Sequence, residues 1–139
     1  MSSLSAFFAQ NAQAAHVEEV IVSNRFKDAD GKPIPWQLRS MTEEENETIR
    51  KSSTRQVKSK GGRTSEVNGD EYIVKLVAAS VVFPNLRDAE LQKSYGVLGT
   101  DRLLRAMLLP GEYAQLVNKV QEINGFDRDT EELVEDVKN

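Results

Sequence analysis

The side chains that most often carry out catalysis are scarce in this sequence, which has a single histidine, His16, and no cysteine. One histidine cannot build a multi-histidine metal site. Without cysteine there is no thiol nucleophile, no disulfide and no thiolate ligand, which suits a reducing cytoplasm. We therefore assign no catalytic, metal-binding or cofactor-binding residue, and expect His16 to be a surface residue preceding a strand.

The 22 acidic residues supply carboxylates, but no pair of them has a spacing that requires acid–base catalysis. Glu43 to Glu45 directly follow Thr42, and T-x-x-E is the capping box that begins a helix. The Gly61–Gly62 pair lies close to Lys58 and Lys60, but the phosphate-binding pattern of glycine, four residues, glycine and lysine is absent. An enzymatic function is therefore not expected.

The strongest charge feature is a basic segment between positions 50 and 63 that contains no acidic residue. Its six cations are Arg50, Lys51, Arg55, Lys58, Lys60 and Arg63. Such a segment suits an acidic protein partner, nucleic acid, or the acidic end of a second copy of this chain, although most such segments are simply solvated. It contains no aromatic residue for base stacking, and the net charge of −4 argues against a general nucleic-acid binder. A nucleic-acid-binding regulator is the alternative that we keep open.

The N-terminal part of the chain predicts a short helix followed by a β-hairpin. Leu4, Phe7 and Phe8 have helical spacing, so a helix is expected within residues 3–11. Alternating apolar residues then predict one strand from Val17 to Phe26 and a second around Trp36, joined by a turn at the Asp28–Gly31 sequence DADG. Because Pro33 and Pro35 cannot donate hydrogen bonds, the second strand is predicted to lie at an edge or to pair on one side only.

The remainder of the chain predicts mainly helices. One is expected from about Glu43 into Arg55, and a largely buried one over residues 70–83 that Pro84 ends. Between them, residues 58–69 are polar and glycine-rich and predict an irregular mobile loop. Three further helices are expected at 88–94, at 100–108 with Thr100 as its cap, and from Pro110 to Asn124, closed by Gly125 and Phe126 in a Schellman motif. Residues 127–139, with six acidic and two basic side chains, form an acidic tail or a short last helix.

Together these features predict one α+β domain of 139 residues, with an N-terminal β-hairpin packed on a mainly helical C-terminal bundle. Residues 1–57 form the N-terminal helix, hairpin and acidic-start helix, and residues 70–126 form the helical body. No apolar run approaches the ~18 residues that a transmembrane helix requires. Because an isolated hairpin is marginal in water, and because the basic segment and the acidic tail are complementary, self-association is also predicted.

Several phrases, in this order along almost the whole chain, resemble the XkdN-like tail assembly chaperones of long-tailed phages and prophage elements. They are LSAFFAQNA (Leu4–Ala12), WQLR (Trp36–Arg39), IRK (Ile49–Lys51), FPNL (Phe83–Leu86), LQKSYG (Leu91–Gly96), MLLPGEY (Met107–Tyr113), INGF (Ile123–Phe126) and the closing Lys138–Asn139. Residues 58–69 carry no part of this resemblance.

The resemblance implies a non-enzymatic protein of the bacterial host cytoplasm that is not expected in the mature virion. Its implied partner is the long tape measure protein, which it would keep soluble until tail tube protein subunits polymerise around it. A longer form made by ribosomal frameshifting is a further implied partner.

A chaperone for amphipathic helices needs apolar grooves. The surplus apolar residues that could line such grooves are Phe7, Phe8, Leu98, Leu109 and Tyr113, although each is individually more typical of a core.

Overall fold

A three-stranded antiparallel sheet lies beside the helices in the computed structural model, which describes residues 3–12 and 17–126. In chain order the elements are a 3₁₀ turn at Leu4–Phe7, β1 (Val17–Val20), β2 (Trp36–Arg39), α1 (Glu43–Ser52), β3 (Thr54–Ser59), β4 (Gly62–Val67), α2 (Gly69–Ser80), β5 (Val81–Phe83), α3 (Ala89–Ser94), α4 (Thr100–Met107) and α5 (Pro110–Ile123). The predicted α+β class is confirmed. The N-terminal turn is shorter than the helix expected over residues 3–11, and both His16 and the acidic tail lie outside the described residues.

β2 is the central strand of the sheet, with β1 on one side and β5 on the other. The prediction that it would be an edge strand is therefore wrong. Pro33 and Pro35 both precede the strand, so every residue from Trp36 to Arg39 keeps its amide for pairing. Trp36 and Leu38 point into the core, which makes β2 the strand that joins the sheet to the helices.

The first strand ends at Val20, six residues before the predicted end at Phe26. From there the chain continues without regular pairing until Lys27 bridges Pro33 around the predicted turn. In that turn the Asp28 carboxylate accepts hydrogen bonds from the amides of Asp30 and Lys32, at 2.8 and 3.0 Å. The alternation of apolar residues thus continues beyond the strand because Val22 and Phe26 still pack inward.

α1 begins with the predicted capping box. The amide of Glu45 donates to the Thr42 hydroxyl at 3.2 Å, and the Glu45 carboxylate accepts from the amide of Thr42 at 3.5 Å. Arg39 holds the same carboxylate at 2.8 Å, so the capping box also ties the helix to β2. The helix ends at Ser52, before the predicted Arg55, because the chain enters β3 at Thr54.

Thr42→Ala should lower the free energy of unfolding by about 1 kcal/mol, because the first turn of α1 loses its side-chain acceptor. Thr48→Ala is the matched control in the same helix. The Thr48 hydroxyl donates a hydrogen bond to the carbonyl of Glu44 in the preceding turn of the helix, and it caps no amide. Alanine also favours the helix more than threonine does. Urea denaturation should therefore show a loss for Thr42→Ala and no loss for Thr48→Ala; equal losses would contradict the role of the cap.

Residues 54–67 form a regular β-hairpin, so the irregular loop predicted for residues 58–69 is wrong. β3 and β4 pair from Thr54↔Val67 to Ser59↔Gly62, leaving Lys60 and Gly61 as a two-residue turn. Gly62 has φ +122°, a value that side chains rarely adopt, which explains the glycine at this position. A hairpin with polar residues on both faces lacks the apolar alternation by which strands are recognised in a sequence.

The buried helix predicted over residues 70–83 is divided into α2 and the short strand β5. The β-branched residues Val81 and Val82 leave the helix, and Val81 and Phe83 pair with Leu38 and Gln37 of β2. Farther along, Gly99 rather than the predicted Thr100 occupies the N-cap of α4. The predicted Schellman motif after α5 is confirmed, since Phe126 donates to the carbonyl of Gln121 at 2.8 Å and Gly125 has φ +82°.

The hydrophobic core lies between the sheet and helices α2, α4 and α5. Its buried apolar residues are Val22, Trp36, Leu38, Val74, Leu76, Val77, Leu86, Leu103, Leu104, Met107, Leu108, Leu116 and Val120. Within the described residues, no helix is both long enough and apolar enough to cross a membrane.

Candidate functional site: an apolar pocket beside α3

An apolar pocket of about 200 Å³ opens where the sheet, α3 and the end of α4 meet. Its lining residues are Phe26, Ile34, Trp36, Phe83, Pro84, Leu91, Tyr95 and Met107. We refer to it as the aromatic pocket. A volume of this size matches roughly one large apolar side chain rather than a whole small-molecule ligand, for which pockets of ~300–1,000 Å³ are usual.

Each wall of the aromatic pocket is set by a different element. Trp36 begins β2 and is only 2% exposed, and its ring centroid lies 6.3 Å from that of Phe26. Phe83 ends β5, and Leu91 of α3 lies four residues before Tyr95, the C-cap of that helix, so both are on one side of it. The pocket is therefore built from core elements at its base and from exposed side chains around its opening.

The opening of the pocket exposes aromatic surface to solvent. Phe83 is 47% exposed and Tyr95 38% exposed, although neighbouring residues such as Leu86 and Met107 are buried. Contiguous exposed apolar surface beside a formed pocket is characteristic of a binding site for another protein. This arrangement can bind an apolar side chain, and it carries no group suited to bond making or breaking.

An ion pair borders the pocket next to Phe26 and Met107. Arg25 Nη2 donates to Glu112 Oε1 at 2.5 Å and to the carbonyl of Met107 at 2.7 Å, and its guanidinium lies 4.9 Å from the centre of the Phe26 ring. Glu112 also accepts a hydrogen bond from the amide of Leu109 at 2.8 Å. The pair thus connects the loop after β1, the end of α4 and the start of α5.

These contacts make Glu112 strongly acidic. The hydrogen bond from Arg25, with further ones from Ser23 and Leu109, lowers the pKa of Glu112 from 4.5 to about 2. Because the folded-state pKa is below the unfolded one, the ionised carboxylate stabilises the fold fully above pH 4.5, and this contribution disappears as the pH falls toward 2.

Glu112→Gln should therefore flatten the acid side of the stability profile. Between pH 4.5 and 2 the parent chain should lose stability more steeply than the variant, because only the parent must protonate this carboxylate. Thermal unfolding followed at several pH values measures the difference. Parallel curves for the two proteins over this range would contradict the assigned ion pair.

A second depression, of about 470 Å³, lies on the other side of α3. Ala89, Gln92 and Lys93 line it, together with Leu98, which is 84% exposed. The side chain of Gln92 holds this region, donating to the carbonyl of Leu86 at 2.9 Å and accepting from the amide of Gly99 at 3.0 Å. These two hydrogen bonds fix the loop on which Leu98 is exposed. α3 lies between the aromatic pocket and this second depression.

The five apolar residues selected from the sequence lie at separate places in the structure. Phe7, Phe8, Leu98 and Leu109 are exposed, which contradicts the expectation that each is individually more typical of a core. Only Tyr113 is half-buried against the core, and burial raises the pKa of its hydroxyl. Leu98 follows α3 and Leu109 is the N-cap of α5, whereas Phe7 ends the N-terminal turn and Phe8 is its C-cap.

The six basic residues divide into two groups. Arg50, Lys51 and Arg55 pair with carboxylates of α1 and α2, at 4.0 Å to Glu43, 3.2 Å to Glu47 and 3.1 Å to Glu71. Lys58, Lys60 and Arg63 lie at the tip of the β3–β4 hairpin and form no ion pair with any other described residue. The structure therefore brings three of the six together as an unpaired cluster.

The residues of the aromatic pocket were not selected as a site from the sequence. The signal was nevertheless present, because Trp36, Phe83, Leu91 and Tyr95 all lie within the phrases WQLR, FPNL and LQKSYG. Apolar periodicity by itself does not distinguish a buried side chain from one that borders an opening. Within residues 3–12 and 17–126, no group of three or more potential metal ligands occurs.

Comparison with known proteins gives a consistent result over almost the entire length. Residues 4–138 match the family model described as the phage XkdN-like tail assembly chaperone protein. The chain is 33% identical to the uncharacterised protein YqbN and 32% identical to the phage-like element PBSX protein XkdN, both of Bacillus subtilis strain 168, in each case over 98% of this chain and 93% of the relative. The crystal structure of YqbN superposes with a TM-score of 0.77 at 26% identity, covering 91% of this chain and 99% of that one.

Proposed function

Because the chain belongs to the XkdN-like family of phage tail assembly chaperones, we propose that it binds the tape measure protein through the surface around α3 and keeps that protein soluble during tail assembly. In this role it acts by binding and not by catalysis. It would work in the cytoplasm of the bacterial host and be absent from the mature virion, and its further partners would be the tail tube protein and any frameshifted longer form of itself.

The observation that carries the proposal is the aromatic pocket with its exposed opening. A tape measure protein is long and helical, so without its tube it presents apolar stripes to water. Helix-in-groove recognition uses a few apolar anchors of the bound helix, each filling a pocket of side-chain size. The aromatic pocket has this size, and Phe83 and Tyr95 extend its apolar surface outward.

The second depression gives the bound helix a second contact. α3 lies between the two openings, and a helix is about 10 Å across. Residues i and i+7 of a crossing helix are separated by a similar distance, ~10.5 Å, at a rise of 1.5 Å per residue. One anchor would enter the aromatic pocket while the other packs against Leu98.

Co-expression tests the proposal. The full chain produced together with the tape measure protein of the same phage element should increase the soluble yield of that protein and co-purify with it. An unrelated long helical protein expressed in the same way is the control. Unchanged solubility together with no association in a pull-down would refute the proposed function.

A further inference from the structure

The β3–β4 hairpin projects from the rest of the molecule. Of its twelve strand residues only Thr54 is not exposed, so neither face of the ribbon is covered. Its base is held by the ion pair between Arg55 and Glu71 and by a hydrogen bond of 2.8 Å from the amide of Asn68 to the carbonyl of Ser53. A two-stranded ribbon is marginal in water by itself, so a segment lying along it would stabilise it.

The tip of this hairpin concentrates unpaired positive charge. Lys58 lies directly opposite Arg63 in the register, and Lys60 occupies the turn between them. Like charges on directly opposed residues destabilise a strand pair. Elsewhere in the basic segment each cation has a carboxylate partner, so the tip is the place where an anionic partner would relieve repulsion.

We propose that the hairpin tip holds the acidic C-terminal segment of the same chain, residues 127–139. This segment has six carboxylates and two cations, a composition complementary to the tip. Nothing in this proposal depends on the tape measure protein or on the surface around α3.

The length of the segment is sufficient to reach the tip. Phe126 lies beside the start of α1, where Asn124 accepts a hydrogen bond from the amide of Met41 at 2.8 Å. From there α1 extends ~15 Å and the hairpin a further ~20 Å. The last carboxylate of the segment, Asp136, is ten residues beyond Phe126, and ten extended residues span up to ~36 Å, which matches the sum of these distances.

The acidic segment belongs to the same chain as the hairpin, and this covalent connection strengthens the contact between them. Each exposed ion pair is weak on its own, but a segment attached to the same molecule is present at millimolar effective concentration, so several weak pairs act together. Salt screens such pairs, since the Debye length falls from ~10 Å at 0.1 M to ~3 Å at 1 M. The contact is thus formed at low ionic strength and lost at high salt.

Zero-length carbodiimide cross-linking of the full chain tests the proposal, because it joins lysine amines to carboxylates in direct contact. At low salt, Lys58 and Lys60 should cross-link to Glu135 and Asp136, the carboxylates far enough along the segment to reach the tip, and these links should be lost in ~1 M sodium chloride. Lys27 and Lys32, exposed in the turn between the first two strands, are internal controls and should not link to that segment. Links from the control lysines in equal yield would overturn the proposal.

Variants and isotope mixing identify the occupant. Arg63→Gln keeps both reactive lysines, removes one charge at the tip and adds no carboxylate, so the yield of these links should fall, whereas Arg87→Gln, on another surface, should leave it unchanged. Mixing labelled and unlabelled protein should give links only within one isotopic species. Links between the two species would assign the tip to a second copy, and a low-salt mobility shift with duplex DNA that Arg63→Gln weakens would assign it to nucleic acid; either result would overturn the proposal.

Discussion

The double variant Phe83→Ser/Tyr95→Ser should bind tape measure helices at least about tenfold more weakly than the parent chain, equivalent to ~1.4 kcal/mol. Both side chains surround the opening of the aromatic pocket while remaining 47% and 38% exposed, so their loss removes binding surface with little effect on the core. Isothermal titration with a soluble helical fragment of the tape measure protein measures the change.

The matched control for this prediction is Val57→Ser/Val67→Ser. It also removes two exposed apolar side chains, but from the β3–β4 hairpin, away from α3. The affinity of this control variant for the tape measure fragment should equal that of the parent chain. If the control lost as much affinity as the pocket variant, the tape measure protein would bind by general apolar contact and not at the pocket. Circular dichroism of both variants should confirm that the fold is retained.

Leu38→Ala should lower the free energy of unfolding by about 2–5 kcal/mol, the range for a leucine removed from a packed core. Leu38 lies in the central strand β2, is 0% exposed, and belongs to the cluster that joins the sheet to α2, α4 and α5. Because β2 pairs on both sides, the resulting cavity affects all three strands. Urea denaturation, monitored by circular dichroism, gives the difference.

Leu98→Ala is the matched control for Leu38→Ala. The chemical change is identical, but Leu98 is 84% exposed, so the free energy of unfolding should change by no more than ~0.5 kcal/mol. A loss for Leu98→Ala comparable to that for Leu38→Ala would mean that Leu98 contributes to the core. Its exposed position on the loop after α3 would then be incorrect.

Features that depend on neighbouring residues could be predicted from the sequence. The capping box at Thr42 and Glu45, the start of α5 at Pro110 and the Schellman motif at Gly125 each involve contacts over a few residues. The α+β class followed from the change in apolar periodicity. The resemblance to XkdN-like chaperones is confirmed by the family match over residues 4–138.

Strand pairing between distant residues was much harder to predict. β5 pairs with β2 across more than forty residues, and only that pairing makes Val81–Phe83 a strand instead of the end of α2. The central position of β2 depends on the same contact. The hairpin at residues 54–67 escaped prediction for a different reason, since its exposure on both faces removes the apolar signal.

The aromatic pocket could not be predicted because it is formed by three distant parts of the chain. Trp36, Phe83 and Tyr95 have no sequence spacing in common, and each is individually typical of a core. Whether an apolar residue is buried or borders an opening depends on the packing of the sheet against α3. The sequence did indicate that these phrases matter, since they carry the family resemblance.

Trp36 allows the most direct test of the central claim, that the tape measure protein binds at the aromatic pocket. It is the chain's single tryptophan and it lines this pocket, so its fluorescence reports on the site. Titration with a tryptophan-free helical fragment of the tape measure protein should shift the Trp36 emission with the same midpoint as the fluorescence anisotropy of a label on the fragment. Saturable binding by anisotropy with unchanged Trp36 emission would contradict this claim and place the binding site elsewhere on the molecule.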